Sequence, residues 1–588
     1  MASYSIEILL AVLIVYGLAY IFYGKKILEE KVVRASPDNV TPAIAKYDGV
    51  DYVPANKYVL YGHHFASIAG AGPIVGPAIA MAYGWLLPLL WVLFGNIFIG
   101  AVHDYLSLMS SVRYGGVSVM SVSENVMGRK ARFIFLAYVY FALVLVVAAF
   151  ESVAATLFTK IPGAATLAVI FMPLALMFGI MVYRMGVNLT GATILMLILI
   201  ALGFYYAYEI PLYLGGDAYH WWLVILATYA FIAASLPVWY LLQPRDYLNA
   251  YILWTFVFIA IFGSLLVADM KLTGPAYTSW APGIFSGVNN EKIPTPFFPA
   301  IPLIIACGSL SGFHSVVASG TSSKQLANEM EGLLVGYGGM LTEGAVSSLA
   351  VILPVSLAWS APELIKMGIF KHSILELDKV HRFTIGYGYM AAKAFSRLGL
   401  SFPDAFHVMV VFAAVSLATF IMTTLDTATR LGRFAWQEFF DPLRESKPGL
   451  YKAIANRWVA GFLVVFFGTA MAYPNIVISG KVKPAYNVIW PAFAGTNQLL
   501  AALALLTVAL WAYKVQQVRG AINWLIQIPA WFLWILVTVG MGWWLVYVAP
   551  HIPRVQEIGA GSIVAINLIL DFLLIILFVR GLFSKSEK

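Results

Sequence analysis

Ten ionisable side chains lie inside long apolar segments of this sequence, where they need either a function or a partner. They are His63, His64, His103, Asp104, Glu151, His314, Glu343, His407, Asp426 and Asp571. An ionised group at the centre of a bilayer costs at least about 2.5–3.5 kcal/mol, so such residues usually face a cavity or a partner. A buried carboxyl group can also exchange protons near neutral pH. These residue types therefore indicate proton exchange or ion pairing.

The first of two unusual apolar segments places His63 and His64 just before a run of glycines and prolines. That run contains Gly70, Gly72, Pro73, Gly76 and Pro77. A proline has no backbone N–H, so Pro73 and Pro77 each free a carbonyl four residues earlier, at Ala69 and Pro73. Broken backbone at membrane depth is tolerated where it is buried or lines a cavity, and helix ends there can bind ions or anions. The alternative is a kinked helix whose glycines serve only close packing.

The second segment surrounds His314 with small and hydroxyl-bearing residues. They are Gly308, Ser309, Ser311, Gly312, Ser315, Ser319, Gly320 and Thr321. Two interrupted segments, one in each half of the chain, point to a transporter whose substrate binds where two repeats meet. We therefore predict a substrate site formed by His63, His64, Gly70, Gly72, Gly76, Ser311, His314, Ser315, Asn497 and Gln498.

The two adjacent histidines have a functional and a structural interpretation. His63 and His64 lie about 100° apart on a helix, so they cannot share one face. In the functional interpretation one of them contacts an anionic substrate or relays a proton. In the structural interpretation both are satisfied by backbone carbonyls near the membrane interface.

Two acidic residues are predicted to couple transport to protons. Glu343 lies in GYGGMLTEGAVSS, a segment of small residues without a cation nearby in sequence. Asp104 follows His103 in an otherwise apolar segment. Neutralisation of either carboxylate would accompany the loaded carrier, whereas the structural alternative for Glu343 is a capped acid.

Two further polar pairs have competing interpretations. Asp426 and Arg430 are spaced i,i+4 and can pair on one helix face, either as a structural ion pair or as a cytoplasmic gate. Asn497 and Gln498 in IWPAFAGTNQLLAA either close a substrate site or hold two helices together.

The composition places all of these residues in a membrane. Of the 588 residues, 61% are hydrophobic and 11% are charged, whereas a soluble domain has about 25% charged residues. An integral membrane protein follows, which excludes a nucleic-acid-binding protein. The single cysteine, Cys307, excludes an internal disulfide and any cysteine-rich metal site. We expect no cofactor and no metal.

Fifteen segments approach the roughly 20 apolar residues that a spanning helix needs. They are 4–24, 58–84, 86–112, 131–159, 163–183, 188–209, 219–243, 249–270, 298–320, 333–358, 404–429, 457–474, 488–511, 524–548 and 561–580. Glu7 in the first segment argues against a basic signal peptide. Lysines and arginines concentrate in alternate loops, so the positive-inside rule predicts an external N-terminus and a cytoplasmic C-terminus. The loop 359–403 is the exception, and we expect helical or re-entrant pieces near 386–398.

Six strings carry a family resemblance. They are DGVDYVPANKYVLYGHHFASIAGAGPIVGP, LPVWYLLQPRDYL, IACGSLSGFHSVVASGTSSKQLANE, GYGGMLTE, LDTATRLGRF and WPAFAGTNQLLAA. In these strings the sequence resembles the carbon starvation protein A family of bacterial and archaeal membrane transporters. All the predicted site residues except Asp104 stand in them. Asp104 matches the family outside these strings, whereas His103 departs from it, because the family form has glutamine there.

The resemblance implies a secondary transporter of the amino-acid/polyamine/organocation superfamily, located in the cell membrane. It implies an all-α integral membrane protein with a five-plus-five inverted-repeat core, discontinuous helices and extra helices. The expected organisation is one polytopic domain, 1–588. Within it we expect a peripheral first helix (1–24), core repeats at 58–209 and 298–511, and additional C-terminal helices at 524–580. Uptake of pyruvate or of short peptides with protons is the implied activity, and substrate, protons and membrane lipid are the expected partners.

Two other classes of function compete with a transporter. A channel would need a continuous polar pore, which the scattered ionisable residues do not indicate. An intramembrane enzyme is disfavoured because the sequence contains no H-E-x-x-H, no G-x-S-x-G and no phosphate-binding loop.

Overall fold

The computed structural model describes residues 5–269, 271–283, 294–305, 307–478, 481–484, 486–552 and 554–583. Within these ranges the chain is almost entirely helical, and two strands, β1 (Asn475–Ile478) and β2 (Lys481–Pro484), form one antiparallel hairpin. The α-helices are α1 (Ser5–Leu18), α2 (Pro42–Ala45), α3 (Lys57–Ile68), α4 (Gly72–Ala80), α5 (Leu86–Gly95), α6 (Ala101–Arg113), α7 (Val119–Met127), α8 (Arg129–Lys160), α9 (Pro162–Tyr183), α10 (Leu189–Glu209), α11 (Ala218–Ser235), α12 (Leu242–Leu266), α13 (Phe297–Ile304), α14 (Gly312–Gly320), α15 (Gly339–Leu357), α16 (Pro362–Lys366), α17 (Lys379–Arg397), α18 (Phe402–Phe439), α19 (Leu443–Ser446), α20 (Pro448–Ile454), α21 (Arg457–Ala472), α22 (Tyr486–Lys514), α23 (Ala521–Trp543) and α24 (Arg554–Phe583). Wider π-helical turns cover Ala19–Val33, Asn96–Gly100, Leu333–Gly338 and Trp544–Val548, and tighter 3₁₀ turns cover Met81–Tyr83, Ser322–Lys324, Glu329–Glu331, Ile374–Glu376 and Ala549–His551.

Eleven helices in the described ranges are long and apolar enough to cross a membrane. The number rises to thirteen if each of two bent pairs, α3 with α4 and α20 with α21, counts as one span. These thirteen segments coincide with thirteen of the fifteen predicted spans. The other two predicted spans, 298–320 and 333–358, are not among these thirteen. The first is interrupted between α13 and α14, and the second contains the 19-residue α15, so a total of fifteen stays a prediction. The protein is an all-α, multi-pass membrane protein with discontinuous helices, as the sequence predicted.

The first interrupted span consists of α3 and α4, which bend by 42° at the break. Asn56 begins α3 by accepting a hydrogen bond from the Tyr58 N–H at 2.9 Å. Pro73 lies in the first turn of α4, where its missing N–H would have had no helical partner anyway. The break therefore follows directly from the predicted run of glycines and prolines.

The second interrupted span consists of α13 and α14, separated by 305–311. Gly308, between the two helices, has a φ of +84°, a conformation that glycine adopts without steric cost. A Cβ atom at Gly308 would also lie 1.7 Å from Ser347 Oγ. This glycine lets the chain turn close to α15.

The protein interior is built around the longest helices. Helices α8 and α18, with 32 and 38 residues, pack along each other, and α22 packs against α8 and α14. In the most apolar stretch of Trp490–Lys514 every residue is buried inside the protein. In the corresponding stretch of Ile6–Val33, near the N-terminus, 28% of the residues are buried. Helices α3, α6, α14, α15, α18 and α22 thus surround the two breaks with protein rather than lipid.

The loop 359–403 is largely helical. It contains α17, a helix of 19 residues that packs against α12, α15 and α18. The expected helical piece near 386–398 is therefore confirmed.

Candidate functional site

His314 connects the two interrupted spans. It lies in the first turn of α14, and its Nε2 is 3.1 Å from the carbonyl oxygen of Ile68, at the end of α3. Its Nδ1 is 3.2 Å from Asp104 Oδ2 and 3.1 Å from Met340 Sδ. Both ring nitrogens face oxygen acceptors, and only the charged imidazolium can donate to both at once. The position is therefore suited to holding a proton between the two breaks.

Glu343 lies beside His314 and is fully buried. Its Oε2 is 3.4 Å from His314 Nε2, and its Oε1 accepts a hydrogen bond from Cys307 Sγ at 2.9 Å. No hydrogen bond to Oε2 is found among the described residues. The sequence offered no local cation for Glu343, but the fold supplies a histidine.

Asp104 completes this group of side chains. Its Oδ1 is 2.8 Å from His103 Nδ1, and its Oδ2 faces His314, so the carboxylate lies between two imidazoles. All of these side chains are buried. We refer to Asp104, Cys307, His314 and Glu343 as the central cluster.

His63 and His64 bind different side chains, as their different helix faces required. His63 Nδ1 is 2.5 Å from Asp246 Oδ2, and its Nε2 is 3.3 Å from Thr321 Oγ1. His64 Nδ1 is 2.8 Å from Ser322 Oγ, and its Nε2 has no hydrogen-bond partner in the described part of the chain. The structural interpretation with backbone carbonyls near the interface is therefore wrong, because both rings are buried against side chains from distant segments.

Side chains from other helices satisfy carbonyls freed at the first break. Thr424 Oγ1 donates to the Ser67 carbonyl at 2.9 Å, and Ser347 Oγ donates to the Pro73 carbonyl at 2.8 Å. The latter contact confirms that Pro77 frees the Pro73 carbonyl for another donor. These polar contacts replace the helical hydrogen bonds that the break removes.

Side-chain amides satisfy the second break. Asn497 Oδ1 accepts from the Phe313 N–H at 2.9 Å, and Asn497 Nδ2 is 2.9 Å from Ser311 Oγ. Gln498 Nε2 donates to the Leu310 carbonyl at 2.9 Å. Both amides therefore hold α22 against the unwound segment, which is the structural one of their two interpretations.

Asn96 has a similar contact that the sequence interpretation missed. Its Nδ2 donates to the carbonyls of Gly308 and Met340, each at 2.8 Å. Its amide side chain in the apolar stretch 86–102 was the available signal. Ser315, predicted to bind substrate, donates its hydroxyl to the Gly312 carbonyl at 2.7 Å.

A buried arginine connects two carboxylates near the first break. Arg245 donates from Nη2 to Asp246 Oδ1 at 2.5 Å and to Asp426 Oδ1 at 3.1 Å, and its Nη1 contacts Asp426 Oδ2 and the Tyr229 hydroxyl. We refer to Arg245, Asp246, Asp426 and Tyr229 as the arginine cluster. Asp246 links it to His63. Its available sequence signal was the charged Arg–Asp pair in LQPRDYL, beside an apolar run.

The predicted i,i+4 pair of Asp426 and Arg430 is wrong. Asp426 belongs to the arginine cluster, whereas Arg430 Nη1 contacts Asp51 Oδ1 at 2.9 Å. Arg433 Nη2 reaches the same Asp51 oxygen at 3.1 Å. Asp426 and Arg430 are both buried against other segments, so each one pairs with a residue that is distant in the sequence. We refer to Asp51, Arg430 and Arg433 as the loop latch.

Glycines at the first break allow segments to approach closely. A Cβ atom at Gly70 would lie 2.8 Å from Phe150 Cε2, and one at Gly72 would lie 2.2 Å from Cys307 Cβ. Gly76 is buried within α4. The first break therefore combines a broken backbone with close packing at its glycines, which the sequence analysis treated as two alternative interpretations.

Substitution of Gly72 with alanine is expected to destabilise the protein by about 1–3 kcal/mol, the usual cost of overpacking. The new methyl group would collide with Cys307 in the second interrupted span. Gly191→Ala in α10 is a matched control, because no atom lies within 4 Å of its added Cβ. Thermal unfolding of the purified variants measures the difference, and equal melting temperatures for both would contradict the packing.

A cavity of about 460 Å³ lies beside this region, between α3 and α12. It is lined by Tyr58, Tyr61, Tyr247, Ala250, Tyr251, Trp254 and Leu334. Tyr61 stacks near Trp254, and its hydroxyl is 2.6 Å from Thr342 Oγ1. The same two helices carry the His63–Asp246 contact, so the cavity adjoins the polar interior.

Two solved structures share the fold of this chain. A mutant of the manganese transporter from Eremococcus coleocola aligns with a TM-score of 0.51 and 12% identity, over 91% of this chain and 99% of that one. MhsT in complex with L-phenylalanine aligns with a TM-score of 0.51 and 11% identity, over 83% of this chain and 98% of that one. At this identity the likeness concerns the fold alone.

Similar sequences define the family. The peptide transporter CstA of Bacillus subtilis (strain 168) is 31% identical over 98% of this chain and 96% of its own length. Two Escherichia coli K12 proteins, the peptide transporter CstA and the pyruvate/proton symporter BtsT, are 32% and 30% identical, each over 92% of this chain and 81% of its own length. The family model for carbon starvation protein CstA matches residues 4–368 and 374–540. The chain therefore belongs to the carbon starvation protein CstA family.

Proposed function

We propose that this protein is a secondary active transporter that takes up pyruvate or short peptides together with protons. Its relatives are named as a peptide transporter and as a pyruvate/proton symporter, and none of the three described above is named as an enzyme. The proposal places the protein in the cell membrane, as a carrier rather than a channel or an intramembrane enzyme.

One observation carries the proposal: His314, in the second interrupted span, contacts both a carbonyl at the first break and two buried carboxyl groups. Separation of the two breaks would change the contacts of His314 with Ile68 and Asp104, which lie in the first half of the chain, while Glu343 would stay beside His314. Alternating access requires such an element, since the protonation state must depend on which side the site faces.

Substrate would bind where the two breaks meet. The N-termini of α4 and α14 carry a positive partial charge, which suits the carboxylate common to pyruvate and peptides. Further hydrogen bonds to the substrate would come from His64, Ser311 and Ser315. Nε2 of His64 has no hydrogen-bond partner in the described part of the chain. Asn497 and Gln498 would hold the unwound backbone in position.

Protons would bind to the central cluster. A proton on Glu343 or Asp104 neutralises a buried charge, which lowers the cost of moving the loaded site through the membrane interior. His314 lies between these two carboxyl groups and would pass the proton between them.

The moving halves would be the two repeats, 58–209 and 298–511. Each proposed repeat begins with an interrupted span, and each carries an additional helix between its second and third long segments, α7 in the first and α17 in the second. Helices α1, α23 and α24 would lie outside this core. Rocking of one repeat against the other would expose the site to each side in turn.

The loop latch would close the cytoplasmic side. This assignment rests on the positive-inside rule, which places the N-terminus outside and the C-terminus in the cytoplasm. The loops that the rule assigns to one side do contact each other. Such pairs are Lys46 with the Gly115 carbonyl, Arg113 with Glu329 and Arg430 with Asp51 on the cytoplasmic side, and Lys160 with Asp378 on the outer side.

Substitution of Asp51 with asparagine is expected to raise the rate of substrate efflux from loaded proteoliposomes several-fold. Burial opposes ionisation of Asp51, but Arg433 and Arg430 outweigh it and lower the pKa of this carboxyl, so the latch stays charged at neutral pH. The latch would weaken only under strongly acidic conditions, as the pH falls through that lowered pKa. Asp38→Asn, in an exposed turn bonded to Ser36, is the control. Equal efflux from both variants would count against a gate.

Uptake assays test the proposed function itself. Purified protein in proteoliposomes is given labelled pyruvate or a labelled dipeptide, with and without an inward proton gradient. We expect one substrate class to accumulate unchanged, saturably and only with the gradient. Accumulation of neither, or accumulation independent of the gradient, contradicts the proposal, as do unitary currents or chemical conversion of the substrate.

A further inference from the structure

The central cluster contains three different metal-ligating atoms at a single point. Cys307 Sγ, His314 Nε2 and the Glu343 carboxylate lie within 4.8 Å of one another, and all three side chains are buried. The individual separations are 3.1 Å from sulfur to nitrogen, 2.9 Å from sulfur to Oε1 and 3.4 Å from nitrogen to Oε2. We propose that these residues form a binding site for a divalent cation of the Zn²⁺ class, and that the bound cation arrests transport.

The donor set fits a borderline-soft cation. Thiolate, imidazole and carboxylate are the ligands that Zn²⁺ prefers, and bonds of about 2.0–2.3 Å place tetrahedral ligand atoms roughly 3.3–3.6 Å apart. The observed separations need to widen by only a few tenths of an ångström. Mg²⁺ and Ca²⁺ are disfavoured, since they require a shell of oxygen ligands.

Two independent features point to a ligand at this position. Glu343 Oε2 is buried and accepts no hydrogen bond from any described residue, although it faces His314. Asp104 Oδ2 lies 3.2 Å from His314 Nδ1, on the opposite side of the ring. A carboxylate that accepts from the second nitrogen orients a metal-bound histidine and makes it a better ligand.

Binding would exchange protons for the cation. Cys307 would lose its thiol proton, any proton on Glu343 would leave, and His314 would keep one proton on Nδ1 toward Asp104 while Nε2 held the metal. The released protons would pass to solvent, as in other metal sites. The Ile68 carbonyl, 3.1 Å from the same Nε2, is available as a fourth ligand.

Arrest of transport follows from where the ligands lie. Cys307 and His314 belong to the second interrupted span, Glu343 belongs to α15, and Ile68 ends α3 at the first break. A cation at this point would tie these elements together and occupy the sites proposed for protons. This effect deepens the proposed function and rests on it, whereas the binding itself does not.

Cobalt binding to detergent-solubilised full-length protein, without substrate, tests the site. Co²⁺ replaces Zn²⁺ in such sites and gives a thiolate-to-metal absorption band, which reports the one cysteine of the chain. We expect one equivalent to bind, Zn²⁺ to displace it, and Zn²⁺ to raise the melting temperature. Cys307→Ser should abolish the band, and Glu343→Gln should weaken binding at least tenfold. Should Cys307→Ser fail to fold, Glu343→Gln and His314→Gln supply the same comparison.

His220→Gln is the matched control. His220 also pairs with a carboxylate, Asp217, at 2.5 Å, but Asp217 is exposed and neither residue belongs to the central cluster. This variant should bind Co²⁺ as the unmodified protein does. Absence of the thiolate band, or equal affinity in Glu343→Gln, would overturn the site. Binding without a several-fold, chelator-reversible inhibition of uptake by Zn²⁺ would overturn the arrest. Since binding is measured without uptake, loss of transport activity in all samples would leave the site standing and count only against the proposed function.

Discussion

Glu343→Gln is expected to abolish proton-driven accumulation while substrate exchange across the membrane continues. Glutamine has nearly the same shape as glutamate and can still accept a hydrogen bond from Cys307, but it cannot take up and release a proton. A gradient of one pH unit supplies about 1.4 kcal/mol per proton, enough for roughly tenfold accumulation. The variant should therefore equilibrate its substrate to equal concentrations inside and outside.

Two assays on the same proteoliposomes separate coupling from transport. Accumulation is measured under an imposed proton gradient, and counterflow exchange is measured with equal pH and labelled substrate on one side. Glu151→Gln is the control, because Glu151 is equally buried but bonds to Thr469, away from the central cluster. Equal loss of accumulation and exchange in a well-folded Glu343→Gln protein would show that Glu343 is needed for binding or movement rather than for coupling.

Local chemistry made the two breaks predictable from the sequence. Pro77 cannot donate to the Pro73 carbonyl in any fold, so a donor from elsewhere was required, and Ser347 supplies it. Gly308 stood in a stretch of small residues, and its left-handed backbone lies where the chain leaves helical geometry. Such features depend only on residues within one helical turn, so they can be recognised from a single sequence.

Partners across the fold were not predictable by the same reasoning. The i,i+4 rule brought Asp426 and Arg430 together, but it describes an isolated helix in water. Inside a helix bundle, a charged group pairs with the residue that best replaces its hydration, wherever that residue lies in the sequence. Asp426 pairs with Arg245 on another helix. The contact of His314 with Asp104 joins residues 210 positions apart, which spacing cannot reveal.

The predicted total of fifteen spans depends on how an interrupted segment is counted. Hydropathy measures whether a segment is apolar enough to cross a membrane, but not whether it does so as one helix. The predicted span 298–320 is apolar, yet its helices end at Ile304 and begin again at Gly312. The broken backbone that defines the proposed site is therefore also what removes this segment from a count of continuous helices.

Arg245→Met is expected to have the largest effect on stability. Arg245 is fully buried and is the cation that contacts both Asp246 and Asp426. Removal of one partner from a buried ion pair costs about 3–5 kcal/mol, because the remaining charge is left without compensation. Methionine preserves much of the side-chain length, so the loss reflects charge and hydrogen bonds more than volume.

A combined variant distinguishes this cause from simple loss of packing. Arg245→Met with Asp246→Asn and Asp426→Asn removes the cation and both carboxylates, so it should unfold at a higher temperature than Arg245→Met alone. Arg397→Met is the control for an exposed pair, since Arg397 and Asp269 are both accessible to solvent, and such pairs contribute about 0–1 kcal/mol. If the triple variant were less stable than the single one, the arginine cluster would owe its stability to hydrogen-bond geometry rather than to charge balance.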